Sequence, residues 1–373
     1  MSTLADTTAA TPTGGGFVVH ANPAPVPDEA REAELVAPRF GTVFTDHMAR
    51  VSWDEARGWH DRRVEAYGPL QMDPASAVLH YAQEIFEGLK AYRHADGSVW
   101  SFRPQANAAR LARSAARLAL PVLPEEDFLA SIEALVRQDL AWVPSGEETS
   151  LYLRPFMYAS EAFLGVRASR QVEYLVIASP VGPYFAQGVH PVAIWVSDDY
   201  RRAAPGGTGA AKCGGNYAAS LLPQQEASAR GFDQVCYLDA TTGTTLEELG
   251  GMNVVVVHAD GTVRTPALNG SILEGVTRSS ILRLLADAGH AVEEAPVLLA
   301  DLVAGLADGS VTEVFACGTA AVVTPIGRLA GAGFDHVVGD GTAGAVTMRI
   351  REQLTDIQYG RAADPHGWMH RLA

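Results

Sequence analysis

Residues 206–217 read Gly206-Gly-Thr-Gly-Ala-Ala-Lys-Cys-Gly-Gly-Asn-Tyr217, and the fold assignment turns on the lysine in their midst. The 373-residue chain has 28 Lys and Arg residues, and only Lys90 and Lys212 are lysines. Arginine supplies almost all the cationic surface, so a position that keeps lysine invites a chemical reason. An ε-amine loses its proton when desolvated and attacks a carbonyl; a guanidinium in a protein does neither. Glycines on both sides of Lys212 let backbone approach a ligand closely. Lys212 therefore reads as a Schiff-base lysine. For Lys90, a functional role and a chance survivor of an arginine-rich composition remain equally open.

Around this loop the bulk composition sets bounds. A chain of this length is expected to form two packed domains, because single cores stop growing beyond roughly 250–300 residues. Hydrophobic residues make up 47% and charged residues 19%, which suits a soluble globular protein with a sizeable core. The net charge is −15, so no basic footprint for nucleic acid or an anionic membrane is present. No apolar run approaches the ~20 residues of a membrane span. Three cysteines, Cys213, Cys236 and Cys317, lack metal-ligand spacing, and the scattered histidines form no HExxH pair. A reduced, cytoplasmic setting without a metal is the expectation, and the start MSTLADTTAATPTGGG resembles no secretory signal.

The chain divides by pattern. Residues 1–35 are expected to be a disordered tail, 36–183 a small α/β domain, 184–192 a turn-rich linker, and 193–373 a larger cofactor-binding domain. In the first half, strands are expected at GTVFTDHMARVSWD, SAVLHYAQ and FEGLKAYRHADGSVWSF, the last folded at Asp96-Gly97 into a hairpin. A helix capped by Asn107 and a second from Glu125 precede strands SLYLRPFMYAS and VEYLVIASPVG. In the second half, strands VAIWVSD, DQVCYLDA, NVVVVHAD, VTEVFACG and AVVTPIG alternate with helices RSSILRLLADAG, LLADLVAGLAD and VTMRIREQLTDIQYG. The fold class is thus α+β or α/β in two domains, with a cleft between them as the usual place for a small ligand.

Several residues offer chemistry. A P-loop requires GxxxxGK[ST], but Ala211 precedes Lys212 and Cys213 follows it, so nucleotide binding there is disfavoured. Schiff-base chemistry needs an electron sink, which pyridoxal phosphate supplies, with a charged partner for its ring nitrogen and donors for its phosphate. Glu247 and Glu248 precede a Gly250-Gly251 turn and the strand from Asn253. One could partner a ring nitrogen, although a surface acid is the plainer local reading. Val276 and Thr277 open a predicted helix, whose N–H groups suit a phosphate or mere capping by Thr277. Thr319 follows a predicted strand, where it offers a hydroxyl or only stabilises a turn. Arg110 lies on a helix among Arg103, Arg113 and Arg117, and spacing does not select between them.

Taken in order, FGTVFTDHM, EIFEGLKAYR, NAARLARSAARLALP, SLYLRPF, SPVGPYF, KCGGNY, EELGGMN, LNGSILEGVTRSS and CGTAAVVTP resemble the branched-chain amino-acid aminotransferases, fold-type IV enzymes dependent on pyridoxal 5'-phosphate. The resemblance runs from Phe40 to Pro325. It implies that Lys212 is the cofactor-linked lysine, that Tyr217 bonds the cofactor O3', and that Glu248 partners the ring nitrogen with Glu247 on its solvent side. It implies phosphate binding by Arg110, the backbone of Val276 and Thr277, and the Thr319 hydroxyl. On the substrate side it implies apolar walls from Phe40, Phe86, Tyr152 and Tyr217, a floor at Ala320, and Arg154 in carboxylate recognition. Tyr81, Leu164 and Val166 match residues that the family supplies across a homodimer interface, and Lys90 matches a structural ion-pair lysine.

Two departures stand out. Gly251 occupies a position where many relatives carry Thr, and Ala321 and Thr324 stand where some carry a CxxC pair, so no thiol switch is expected. The implied reaction is reversible amino transfer from L-Leu, L-Ile or L-Val to 2-oxoglutarate. D-amino-acid aminotransferases and aminodeoxychorismate lyases share the fold, while FTDHM, SLYLRP and SPVGPYF favour the branched-chain branch. A nucleotide-binding module without catalysis is the competing class.

Overall fold

In the computed structural model, residues 11–12, 16–184 and 188–373 are described; the expected 184–192 linker thus lies partly outside them, at 185–187. The chain forms two units, one of residues 1–184, 358–360 and 364–373, the other of residues 185–357 and 361–363. Both mix helices with one large sheet, as the sequence pattern implies.

The first unit is built on a mostly antiparallel sheet. Its longest pair joins Ser150–Ala159 to Gln171–Val181, with Tyr152 opposite Ser179 and Arg154 opposite Ile177. Because side chains alternate along a strand, Tyr152 and Arg154 share one face. His47–Asp54 flanks this pair on one side and Leu89–Arg93 on the other. The expected hairpin forms, with Leu89–Arg93 returning as Val99–Phe102. Helix Glu125–Gln138 buries Phe128, Ser131, Ile132 and Leu135, the i, i+3, i+4, i+7 face of an amphipathic helix. The Ser131 and Tyr174 hydroxyls lie 3.0 Å apart beneath it.

Four expectations change here. SAVLHYAQ is not a strand: Ala77–Tyr81 is a short helix, begun by a turn in which Asp73 accepts from the Ala75 N–H and ended by left-handed Ala82. Asn107 is not a cap, since the helix spans Pro104–Arg117 with Pro104 in its first turn, where its fixed φ is favourable. Residues before 36 are not all outside the core. Phe17 is 0% exposed, Val18–Val19 pairs with Arg63 and Val64, and Asp28–Val36 is helical. His47 and Asp46 of the FTDHM segment hold this arm by accepting the Asn22 and Val26 N–H groups, each at 2.8 Å. At the other end Met369–Arg371 pairs with Trp100–Phe102, so residues 364–373 join the first unit and not the second.

In the second unit Val192–Ser197 runs parallel to Gln234–Leu238 and to Val322–Gly331, and the remaining pairings are mostly antiparallel. Asn253–His258, with four consecutive valines, is buried along nearly its whole length beside Val311–Gly318. Edge strand Leu246–Leu249 lies far from Asn253–His258 in pairing order, yet only residues 250–252 connect them. The sheet must therefore curl on itself, and the curl gathers Glu247, Glu248, Gly251 and Asn253 at one end. Val254, Val256, Val314, Leu246, Leu249 and Ile326 fill the apolar core within it.

Candidate active site

In the second unit, the Lys212 loop is fixed by the residue before Tyr217. The Asn216 amide donates to the Thr208 and Ala211 carbonyls, each at 2.8 Å, and accepts the Thr208 hydroxyl at 2.8 Å. Gly209 passes so near the Ser271 carbonyl that a Cβ would collide with it, which explains one of the loop glycines. Half-buried Lys212 donates from Nζ to the Tyr217 Oη at 2.8 Å. The predicted amine and phenol therefore do meet.

Glu248 sits on the buried strand Leu246–Leu249 and is 2% exposed. Its Oε1 accepts from the Leu273 N–H at 2.7 Å and pairs with Arg202 at 2.9 Å. Its Oε2 has a long 3.5 Å contact from Asn253 Nδ2. Burial pushes its carboxyl up to about 7, even though the Arg202 charge and the Leu273 N–H pull the other way. Glu247 is also 2% exposed, so its expected place on the solvent side is corrected, and burial raises its carboxyl too. A buried strand at the end of a curled sheet leaves neither acid in water.

Asn253 links this acid to the next element. Its Nδ2 donates to the Leu273 carbonyl at 3.0 Å, and its Oδ1 fills the space that a Cβ on Gly275 would need. Helix Val276–Asp287 begins at that point, with Val276 and Thr277 both buried in its first turn. The leading N–H groups of a helix have no intrahelical acceptor. Thr319 and Ala320 occupy the turn between Val311–Gly318 and Val322–Gly331. That turn closes against the Gly250-Gly251 turn: a Cβ on Gly318 would approach Met252, and one on Gly251 would lie 3.6 Å from the Tyr217 ring.

The first unit carries a separate set. Phe40, Tyr152 and Arg154 line a cavity of about 340 Å³ with Phe44, Ile177 and Ser179. The Phe40 and Tyr152 rings meet edge-on at 4.9 Å, and the Arg154 guanidinium lies 4.9 Å from the centre of the Phe86 ring. Buried Arg154 Nε has no hydrogen-bond partner. Tyr81 donates to the Leu164 carbonyl at 2.5 Å on an exposed patch with Leu164 and Val166, the latter 90% exposed. Arg110 is buried elsewhere, on Glu87, and Lys90 is buried in Leu89–Arg93.

Sequence reading missed Arg202, Asn216, Asn253 and Glu87. Asn216, Asn253 and Glu87 carried a signal, since each lies in a motif already quoted, GGNY, GGMN or EIFEGLKAYR. Arg202 is one arginine among many.

These groups suit pyridoxal phosphate: a buried carboxylate with one oxygen little used, an amine on a phenol, and a helix start. Among the described residues, no cluster of three His, Cys, Asp or Glu side chains is placed to hold a metal, and no helix is long and apolar enough to cross a membrane.

Known proteins resemble this chain over most of its length. The family model for amino-transferase class IV matches residues 84–329. A probable branched-chain-amino-acid aminotransferase of Streptomyces coelicolor is 56% identical over 350 residues, 94% of this chain and 96% of its own. The branched-chain-amino-acid aminotransferase of Mycobacterium tuberculosis is 54% identical over 93% of this chain and 96% of its own. The crystal structure of the Escherichia coli branched-chain enzyme is similar with TM-score 0.72 at 29% identity, covering 87% of this chain and all of its own. The crystal structure of the branched-chain aminotransferase from the thermophilic archaeon Thermoproteus uzoniensis, solved with norvaline, gives 0.71 at 26% identity, over 87% of this chain and all of its own. With Lys212, Tyr217 and Glu248 gathered in one unit and near-full-length identity above half, the chain belongs to the class IV aminotransferases, in the branched-chain-amino-acid aminotransferase family.

Proposed function

We propose that the chain transfers the amino group of L-Leu, L-Ile or L-Val reversibly to 2-oxoglutarate, giving branched 2-oxo acids and L-Glu with pyridoxal 5'-phosphate as cofactor. The observation that carries this reading is Glu248, buried with Oε1 doubly bonded and Oε2 held only by a 3.5 Å contact. When bound, the cofactor supplies a cationic ring that delocalises charge developing at the substrate Cα. Glu248 Oε2 accepts the ring N–H and favours the cationic form, because a carboxylate beside a cation stays ionised. Lys212 Nζ takes the Cα proton and returns it, which requires the neutral amine. Tyr217, 2.8 Å from Nζ, orients that amine and donates to the cofactor O3'.

Arg110, the Val276 and Thr277 backbone and the Thr319 hydroxyl take the phosphate. On the family resemblance, Phe40, Phe86, Tyr152, Tyr217, Gly251 and Ala320 take the branched side chain. One extra methylene discriminates by only ~1–3 kcal/mol, so overlap among Leu, Ile and Val is expected. The second carboxylate of L-Glu goes to Arg154, whose buried Nε has no hydrogen-bond partner and which lies over the Phe86 ring. The second unit, with Lys212, Tyr217 and Glu248, carries the cofactor, in a cytoplasmic homodimer whose second subunit covers Tyr81, Leu164 and Val166.

The test is to supply L-Leu, L-Ile, L-Val and D-Ala separately with 2-oxoglutarate and quantify L-Glu. Product from the three branched L-amino acids and not from D-Ala is the expected result. Turnover of D-Ala in their place would move the enzyme to the D-amino-acid branch.

A further inference from the structure

Glu87 is 0% exposed, the least favourable place for a carboxylate unless every lone pair has a donor. Its Oε1 accepts Arg110 Nε at 2.8 Å and its Oε2 accepts Arg110 Nη2 at 2.8 Å. Oε2 also accepts Asn107 Nδ2 at 2.8 Å and the Gly88 N–H at 3.2 Å. Asn107 and Arg110 are three residues apart on helix Pro104–Arg117, so both reach Glu87 from one helix face. The backbone beneath is pinned as well. The Glu87 N–H donates to the Pro155 carbonyl at 2.7 Å, and Gly88 has no room for a Cβ against the Tyr152 hydroxyl.

A two-bond fork through Nε and Nη2 fixes both the plane and the rotation of a guanidinium, and it turns Nη1 to the opposite side. We infer that Glu87 is a positioning residue for cofactor binding, acting through Arg110 by fixing the guanidinium plane that meets the phosphate. This rests on the proposed phosphate role of Arg110. Two effects of Glu87 oppose one another: its charge repels a phosphate dianion, while its fork holds the cation in place. Asn107 and the Gly88 N–H help hold the carboxylate itself in a fixed pose. The fork outweighs the repulsion, because two parallel N–H bonds to one carboxylate set the plane of the guanidinium, which a single bond does not. A glutamine at 87 cannot replace it, since its one oxygen serves one Arg110 N–H and its NH2 group meets the other donor head-on.

The experiment measures dissociation constants of the full-length protein, freed of cofactor, for pyridoxal 5'-phosphate and for pyridoxal, which lacks the phosphate. Their ratio isolates the phosphate's share, which a general loss of structure would leave in place. Glu87→Gln is expected to reduce the preference for the phosphorylated form about tenfold while pyridoxal binding stays within about twofold. In an Arg110→Gln background the same change is expected to leave the ratio unmoved. An unchanged or larger ratio in Glu87→Gln, with Arg110→Gln still lowering it, would overturn the positioning role and keep the phosphate role. If Arg110→Gln does not alter the ratio, the phosphate role itself fails, and the inference with it. Should Glu87→Gln not fold, Asn107→Ala, which removes one anchor of the same carboxylate, must lower the ratio in the same direction or the inference is wrong.

Discussion

Replacing Glu248 by Gln in the cofactor-free protein should flatten the pH dependence of stability between acid and neutrality. The folded carboxyl is pushed up to about 7 from an ordinary value of 4.5, chiefly by burial. The folded protein thus holds this proton more tightly than the unfolded chain. A raised value contributes stability that is fully present below about pH 4.5 and is lost as pH rises through about 7. The gap, at about 1.4 kcal/mol per pH unit, comes to about 3 kcal/mol. Gln cannot titrate, so its stability should fall about 3 kcal/mol less across that window. The attraction of Arg202 for the ionised carboxylate is already part of that value of about 7, so it adds no further slope, and any constant difference between the two proteins reports how Gln fits beside Arg202 and the Leu273 N–H. Urea unfolding followed by circular dichroism, at steps from pH 4.5 to 7.5, separates slope from offset. Stability curves that run parallel for the two proteins would refute the reasoning and mean that Glu248 is not held in a low-dielectric site.

Arg154→Met should weaken 2-oxoglutarate and L-Glu in steady-state kinetics by about tenfold or more in kcat/KM, with L-Leu changed far less, because only the diacids carry a second carboxylate to pair. Asn216→Ala leaves the Thr208 and Ala211 carbonyls without their side-chain donor and should cost about 2–4 kcal/mol in urea unfolding, with a matching loss of amino transfer. Gly209→Ala forces a methyl into the Ser271 carbonyl, and thermal unfolding should fall by several degrees. Cys236 and Cys317 are buried with thiols pushed up to about 12, so thiol reagents should label neither in the folded protein at pH 7.

Strong periodicity made much of the fold legible. The hairpin at Asp96-Gly97, the helix from Glu125 and the valine run at 254–257 all formed where local pattern and tertiary burial agree. SAVLHYAQ misled because its apolar residues fit a short helix or strand equally well, and the Asp73 turn before it decided the matter. The terminal strands were invisible for a different reason. Val18–Val19 and Met369–Arg371 are too short to show a period and exist through pairing with distant strands. At the site, the lysine scarcity exposed Lys212, but no spacing could show that Glu248 is buried. That burial depends on a sheet curling until its edge strand meets residues 253 and 273. The roles of Arg202, Asn216 and Glu87 stayed hidden because they act by bonding to other residues, and such pairings exist only in three dimensions.

The account centres on Lys212 holding a pyridoxal-type cofactor that accepts an amino group from a branched L-amino acid. Absorbance spectra of the purified protein, and of Lys212→Ala, taken before and after adding L-leucine without an oxo acid, test this most directly. The wild-type protein should be yellow and bleach with L-leucine, and Lys212→Ala should give neither the native yellow form nor rapid bleaching. A wild-type protein that takes up no yellow cofactor after incubation with pyridoxal 5'-phosphate, or one whose colour ignores L-leucine, would contradict it.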